Sequence, residues 1–187
     1  MNFANINLQV NPKRNYFLFK TENYNEYLEI ALYALVLLTV PLFHSHQLIV
    51  GTIVNALLIK SALNHSMKKM FVLAFLPLLS VVATGFLFGS LTEFVLLMVP
   101  FIWMSNLLII FVTKKLFTEK TKNYFKSTLI ASIVKTIFLS LAISVMFFVG
   151  LVPIALIGIF SFMQFVTAES GSIIVGISKL RRRKNVT

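Results

Sequence analysis

Thr113-Lys-Lys-Leu-Phe-Thr-Glu-Lys-Thr-Lys-Asn-Tyr-Phe-Lys126 separates two long apolar runs, and Lys114, Lys115, Lys120, Lys122 and Lys126 all fall within it. The runs on either side, 93–113 and 127–149, match the length that crosses a bilayer core, about 20 residues. A polar, lysine-rich link between two such runs reads as a cytoplasmic loop, because loops rich in Lys and Arg stay on the side where they are made. Two antiparallel spans are thereby set, and the rest of the chain can be threaded from them.

Working outward, further apolar runs cover 26–43, 47–66, 69–88 and Pro153 to about 178. Pro41 marks the end of the first. Pro77 lies inside the third, where it should kink the helix, and Pro100 lies inside the fourth. Pro153 suits a first helical turn, where its missing N–H costs nothing. Lys13, Arg14 and Lys20 precede the first run, Lys68 and Lys69 sit between the second and third, and Lys179, Arg181, Arg182, Arg183 and Lys184 follow the last. The first, third and fifth links carry no Lys or Arg, and only Lys60 and Lys135 lie within apolar runs. The expected fold is all-α: a polytopic membrane protein with six transmembrane helices and both termini cytoplasmic. Residues 1–25 would be a cytoplasmic N-terminal tail with interspersed aromatics, 26–178 the transmembrane domain, and 179–187 a basic cytoplasmic tail. The N-terminus is too polar for a cleaved signal peptide.

Composition supports a membrane class and removes others. Hydrophobic residues make up 58% of the 187, against about 45–50% in soluble domains. Topology accounts for the net charge of +11, so no nucleic-acid partner is implied, while the basic ends suit anionic membrane lipid. There is no Cys, hence no disulfide or thiolate metal site. All six acidic residues are Glu, which removes Asp-based dyads and Asp-rich metal motifs. Neither a G-x-x-x-x-G-K-[ST] loop nor H-E-x-x-H is present. We therefore expect no catalytic residue, no metal and no cofactor, and do not read the chain as an enzyme.

Polar groups inside a bilayer mark function by default. Asn55 and Lys60 fall in the second run, Asn106 in the fourth, Lys135 in the fifth, and Gln164 and Glu169 in the sixth. At 1.5 Å per residue, Lys135 and Glu169 lie at similar depth, which allows an ion pair. Lys60 competes for Glu169, or its ammonium snorkels to the headgroups. Gln164, Thr167, Ala168 and Gly171 share one helical face. On that face Gln164 and Thr167 would line a cavity, and Ala168 and Gly171 would permit close packing. Trp103 and Asn106 are three apart and also share a face. Each of these residues has a purely structural alternative in interhelical bonding. Gly85 and Gly89 form a weak G-x-x-x-G. His44 and His46 lack the spacing and carboxylates of a metal site.

Gly51-Thr-Ile-Val-Asn-Ala-Leu-Leu58, Pro100-Phe-Ile-Trp-Met-Ser-Asn106, the lysine of the fifth run and Gln164-Phe-Val-Thr-Ala168 closing on Gly171 together resemble the substrate-binding S-components of bacterial energy-coupling factor (ECF) transporters, over residues 46–178. The resemblance implies a subunit of the bacterial cell membrane that binds a vitamin or other micronutrient. It implies partnership with a transmembrane coupling subunit and two cytoplasmic ATPases that supply the energy. Helix 1 of such proteins often docks through alanines four apart, whereas Ala31 and Ala34 here are three apart. Asn55, Trp103, Asn106, Lys135, Gln164 and Thr167 are the expected substrate-binding residues. Two other readings stand beside this one: a structural or assembly subunit without its own ligand, and a small ion- or proton-coupled carrier using Lys135 and Glu169.

Overall fold

The computed structural model describes residues 12–43, 46–84, 92–117 and 123–184, and among these every regular element is helical. In chain order they are α1 Pro12–Thr39, a single 3-10 turn Val40–Phe43, α2 Gln47–Asn64, α3 Met67–Thr84, α4 Thr92–Lys115, α5 Tyr124–Phe148 and α6 Ala155–Lys184. Five stretches are long and apolar enough to cross a membrane: Tyr24–Leu42, Gln47–Asn64, Leu96–Lys115, Tyr124–Phe148 and Ala155–Lys179. Large apolar side chains such as Leu141, Val145, Phe148 and Phe162 point outward. That suits a surface bathed in acyl chains, where every backbone group must be satisfied within the helix itself. The protein is an α-helical, multi-pass membrane protein.

α1 begins at Pro12 rather than at the apolar run from 26. Proline is pre-set for a first helical turn, and nothing between it and the apolar run breaks a helix. Met1–Leu32 forms one compact unit and Tyr33–Thr187 another; the packing below belongs to the second. Gly85, Gly89 and His44 lie outside the described residues, while His46 immediately precedes α2.

The helices alternate in direction. α2, α4 and α6 end near Lys114, Lys115 and Lys179, where α3 and α5 begin. We call this the basic end and the opposite one, where no Lys or Arg falls, the lysine-free end. At the basic end the Lys114 ammonium donates to the His65 carbonyl in the α2–α3 link. At the lysine-free end α5 closes with Gly150 at φ +80°. The Gly150 N–H bonds Phe147 O at 2.9 Å and the Leu151 N–H bonds Met146 O at 2.9 Å, the paired bonds of a Schellman cap. A Cβ on Gly150 would meet nothing within 4 Å, so the glycine is required by its left-handed backbone alone.

α2 and α6 run parallel in close contact. A Cβ on Gly171 would lie 2.7 Å from Ala56 N and 2.9 Å from Thr52 O, so the two backbones touch where a side chain would stand. Opposite Gly51 sits Thr167, whose Cγ2 would be 2.8 Å from an added Cβ. α5 crosses α6 antiparallel through hydroxyl pairs: Ser140 Oγ with Ser161 Oγ at 2.6 Å, and Ser172 Oγ donating to Thr128 Oγ1 at 2.6 Å. Tyr124 adds a bond from its OH to Ser172 O at 2.7 Å. Small and hydroxylated residues are what holds helices together where lipid removes the hydrophobic drive between them. An apolar cluster lies toward the lysine-free end, with Leu78 and Val81 of α3, Met98 and Ile102 of α4, Leu139 and Ile143 of α5, and Leu156 and Phe160 of α6.

Gly171→Ala should lower the thermal midpoint of the purified protein, by the roughly 1–3 kcal/mol typical of overpacking. Gly158→Ala should leave it unchanged or slightly raised, because a Cβ there meets nothing within 4 Å. A fluorescence-detected melt in detergent compares the two.

Candidate functional site

Lys135 stands at the middle of α5, where it is 1% exposed and the largest fully buried side chain described. Its Nζ donates to Asn55 Oδ1 of α2 at 2.7 Å and to Asn106 Oδ1 of α4 at 3.0 Å. Each amide is turned so that its oxygen faces the ammonium and its nitrogen faces away. Asn55 Nδ2 donates to Gly51 O at 2.9 Å and to Thr167 Oγ1 of α6 at 3.2 Å. Thr167 Oγ1 in turn donates to Gln164 O at 3.2 Å.

Asn106 Nδ2 reaches α3, donating to Ala74 O at 3.2 Å. Pro77 lies one turn further along α3. It removes the N–H that Leu73 O would accept, and its ring crowds the preceding turn. Asn106 bonds the carbonyl next to the freed one, so its amide braces α3 in the turn that the proline disturbs. Lys135 is thus the centre of a polar chain joining α3, α4, α5, α2 and α6.

A cavity of about 80 Å³ opens beside this cluster, ample for several water molecules, each of which needs about 10–15 Å³. Lys135, Asn55, Asn106 and Gln164 form its polar wall, Val50, Val54, Leu78, Val81 and Ile102 its apolar wall, and Pro41 and Gln47 lie toward the lysine-free end. Among the described residues no carboxylate lines it. A pocket with a mostly apolar wall and a few convergent polar groups has the lining of a small-molecule site, at a volume below the roughly 300–1,000 Å³ of sites for drug-sized ligands.

Of the residues expected from sequence, Asn55, Asn106, Lys135 and Thr167 meet in one hydrogen-bond network, and Gln164 joins them at the cavity. Trp103 shares the α3-facing side of α4 with Asn106, yet it is not among the cavity's lining residues. Its ring packs edge-on against Phe71 and Phe75 of α3, with centroids 4.8 and 5.5 Å away, and its Nε1 is buried without a hydrogen bond. The expected Lys135–Glu169 ion pair does not form. The ammonium takes two amide oxygens instead, and Glu169 Oε1 has no hydrogen-bond partner. Glu169 lies two residues beyond Thr167, about 200° around the helix, and its electrostatic neighbour is Tyr124. Lys60 approaches the Tyr33 ring, with Nζ 5.2 Å from the centroid. Among the described residues no three His, Cys, Asp or Glu gather as a metal site.

Sequence reasoning missed the α3 carbonyl and Gln47. Pro77 was the available signal for the first only as a mark of the turn: the carbonyl it leaves without a donor is Leu73 O, the immediate neighbour of the Ala74 O that Asn106 bonds. Gln47 carried no signal beyond its position at the start of α2.

Fold and site define a polytopic α-helical membrane protein with a buried lysine–amide cluster beside a small open cavity. No family model matches the chain, and neither a curated protein nor a solved structure does.

Asn55→Leu removes one acceptor of the buried ammonium and the donor to Thr167. It should destabilise the protein by about 1–3 kcal/mol, the effect of leaving a buried group unsatisfied. Ser144→Ala, which deletes a single hydroxyl bond to Ser140 O within α5, should shift the melt much less.

Proposed function

We propose that this chain is a solute-binding membrane subunit of an ATP-driven importer, similar to the S-components of ECF transporters, and that its solute carries an anionic group recognised by Lys135. One observation carries the reading. A lysine with 1% exposure borders a small open cavity with only amide oxygens as its hydrogen-bond partners and, among the described residues, no carboxylate on the wall. A buried charge without a countercharge is expensive, and a bound anion in the cavity supplies that countercharge. Asn55 and Asn106 hold the ammonium at the wall before the solute arrives. Gln164 offers a further polar contact, and the apolar wall accepts the solute's body.

In this reading the chain crosses the bacterial cell membrane six times, with α3 as the sixth span and both termini cytoplasmic. The cavity then faces outward, at the end free of lysine. A transmembrane coupling subunit and two cytoplasmic ATPases supply the energy, consistent with the lack of a nucleotide-binding loop in the chain. The ion-coupled carrier is less well supported, because Lys135 and Glu169 share no hydrogen bond along which a proton would pass.

The test is purification of the tagged protein from its native membranes in mild detergent, with mass spectrometry of co-purifying chains. Two P-loop ATPases and a coupling membrane subunit at near-stoichiometric amounts are expected. Recovery with an unrelated membrane complex would replace this reading with that of an assembly subunit.

A thermal-shift screen of small carboxylates on the isolated protein should find a stabilising ligand. Lys135→Ala should weaken its binding about ten- to a hundredfold, as expected for losing a charged hydrogen bond of about 1.5–3 kcal/mol, while the unliganded protein stays folded with a melt lowered by about 1–3 kcal/mol, since the Asn55 and Asn106 oxygens lose their donor. A melt that collapses in Lys135→Ala, together with no stabilising ligand for the wild-type protein, would assign the lysine a structural role only.

A further inference from the structure

The Lys135 cavity has hydrogen-bond donors on one side and aliphatic carbon on the others. An ammonium carries three N–H groups. Lys135 gives two of them to Asn55 Oδ1 and Asn106 Oδ1, which leaves one for the cavity that it lines. The asparagine nitrogens are turned away, that of Asn55 to Gly51 O and Thr167 Oγ1, that of Asn106 to Ala74 O. Gln164 gives its backbone carbonyl to Thr167 and keeps its side-chain amide for the wall. One ammonium N–H and one amide N–H suit the two oxygens of a single carboxylate.

Charge limits the solute further. Among the described residues Lys135 is the one Lys or Arg on the wall, and no carboxylate lines it. One negative charge in the cavity is balanced. A second would be buried without a partner, which is costly. A positive group on the solute would be unpaired as well, and would face the ammonium.

Volume and wall define the remainder of the molecule. A cavity of about 80 Å³ holds about five to eight atoms of the size of a water oxygen, at about 10–15 Å³ each. The aliphatic side chains of its wall, from Val54 of α2 to Ile102 of α4, offer neither donor nor acceptor. A hydrated inorganic anion would press its water shell against them unbonded, whereas a hydrocarbon tail is accepted.

Resting on the reading of Lys135 as an anion-binding group, we propose that the solute is a short-chain aliphatic monocarboxylate of about three to six carbons, whose non-hydrogen atoms match that capacity. Its carboxylate takes the third Lys135 N–H and the Gln164 amide, and its tail lies along Val54 and Ile102. A longer tail passes out beside Pro41 and Gln47 and gains nothing more from this wall.

Titration calorimetry of the wild-type protein in mild detergent tests this, with the straight-chain acids from acetate to octanoate, succinate, 4-aminobutanoate and neutral butanamide. Affinity should rise about fourfold per added methylene, the effect of burying one, and stop rising between pentanoate and heptanoate. Succinate, 4-aminobutanoate and butanamide should each bind at least about tenfold more weakly than butanoate, the effect of one unmatched charge or one lost charged hydrogen bond. Val54→Ala, which takes two carbons off the wall, should move the stopping point about one to two carbons longer. Succinate or 4-aminobutanoate binding as well as butanoate, or affinity flat from acetate to hexanoate, would overturn the monocarboxylate and leave an anionic solute of another class. No binding by any of the acids would overturn it alone if the thermal-shift screen finds another anion. If the screen finds none, or butanamide matches butanoate, the anionic-solute reading falls with it.

Discussion

The ammonium of Lys135 in the middle of a helical bundle is the constraint on which the rest of the packing depends. Moving such a group out of water is unfavourable by several kcal/mol unless good hydrogen bonds replace its hydration. Two amide oxygens, from α2 and α4, provide them. For both to reach one nitrogen, α2, α4 and α5 must hold a fixed axial register. The amide nitrogens carry the constraint onward, through Thr167 to α6 and through the Ala74 carbonyl to α3. The polarity of the network has one direction: the lysine donates twice, each asparagine accepts and then donates, and both branches end on backbone carbonyls.

That network is affordable only because the helices approach closely where it lies. Gly51 and Gly171 remove the side chains that would hold α2 and α6 apart, and Ala168 between them is wholly buried. The close α2–α6 seam brings Asn55 within reach of Thr167. On the other side, Pro77 weakens the bonding within α3 at the turn that Asn106 serves. Packing and polarity are therefore two views of one arrangement: small residues set the distances, and asparagines occupy the places those distances create.

Much of this was legible in the sequence. Lysine-rich and lysine-free links separated the apolar runs, and the centres of the helices followed. The start of α1 was not, because residues 12–25 are helical without being apolar, and hydropathy is silent on such a segment. Asn55, Asn106, Lys135 and Thr167 could each be singled out as a polar group in an apolar run, yet their meeting could not be read from spacing. Depth along a helix is one coordinate of a contact and rotation about it is another. Depth alone paired Lys135 with Glu169, while rotation turns Glu169 toward Tyr124 and leaves the lysine to the amides. Trp103 shows the same limit from the other direction: its shared side with Asn106 was correct, but that side meets α3, and the cavity is lined by its neighbour alone.

The alternating directions of the helices give the lysines at the basic end two different meanings. α2, α4 and α6 bring their C-termini there, and each helix dipole places about half a negative charge at such an end. Lys114 and Lys115 lie in the last turn of α4, where electrostatics within the bundle favours them. Lys68 and Lys69 in the first turn of α3, and Lys126 in the first turn of α5, face the opposite pole, which repels them. Their placement runs against the field of their own helices, so the helix dipoles that favour Lys114 and Lys115 do not account for it.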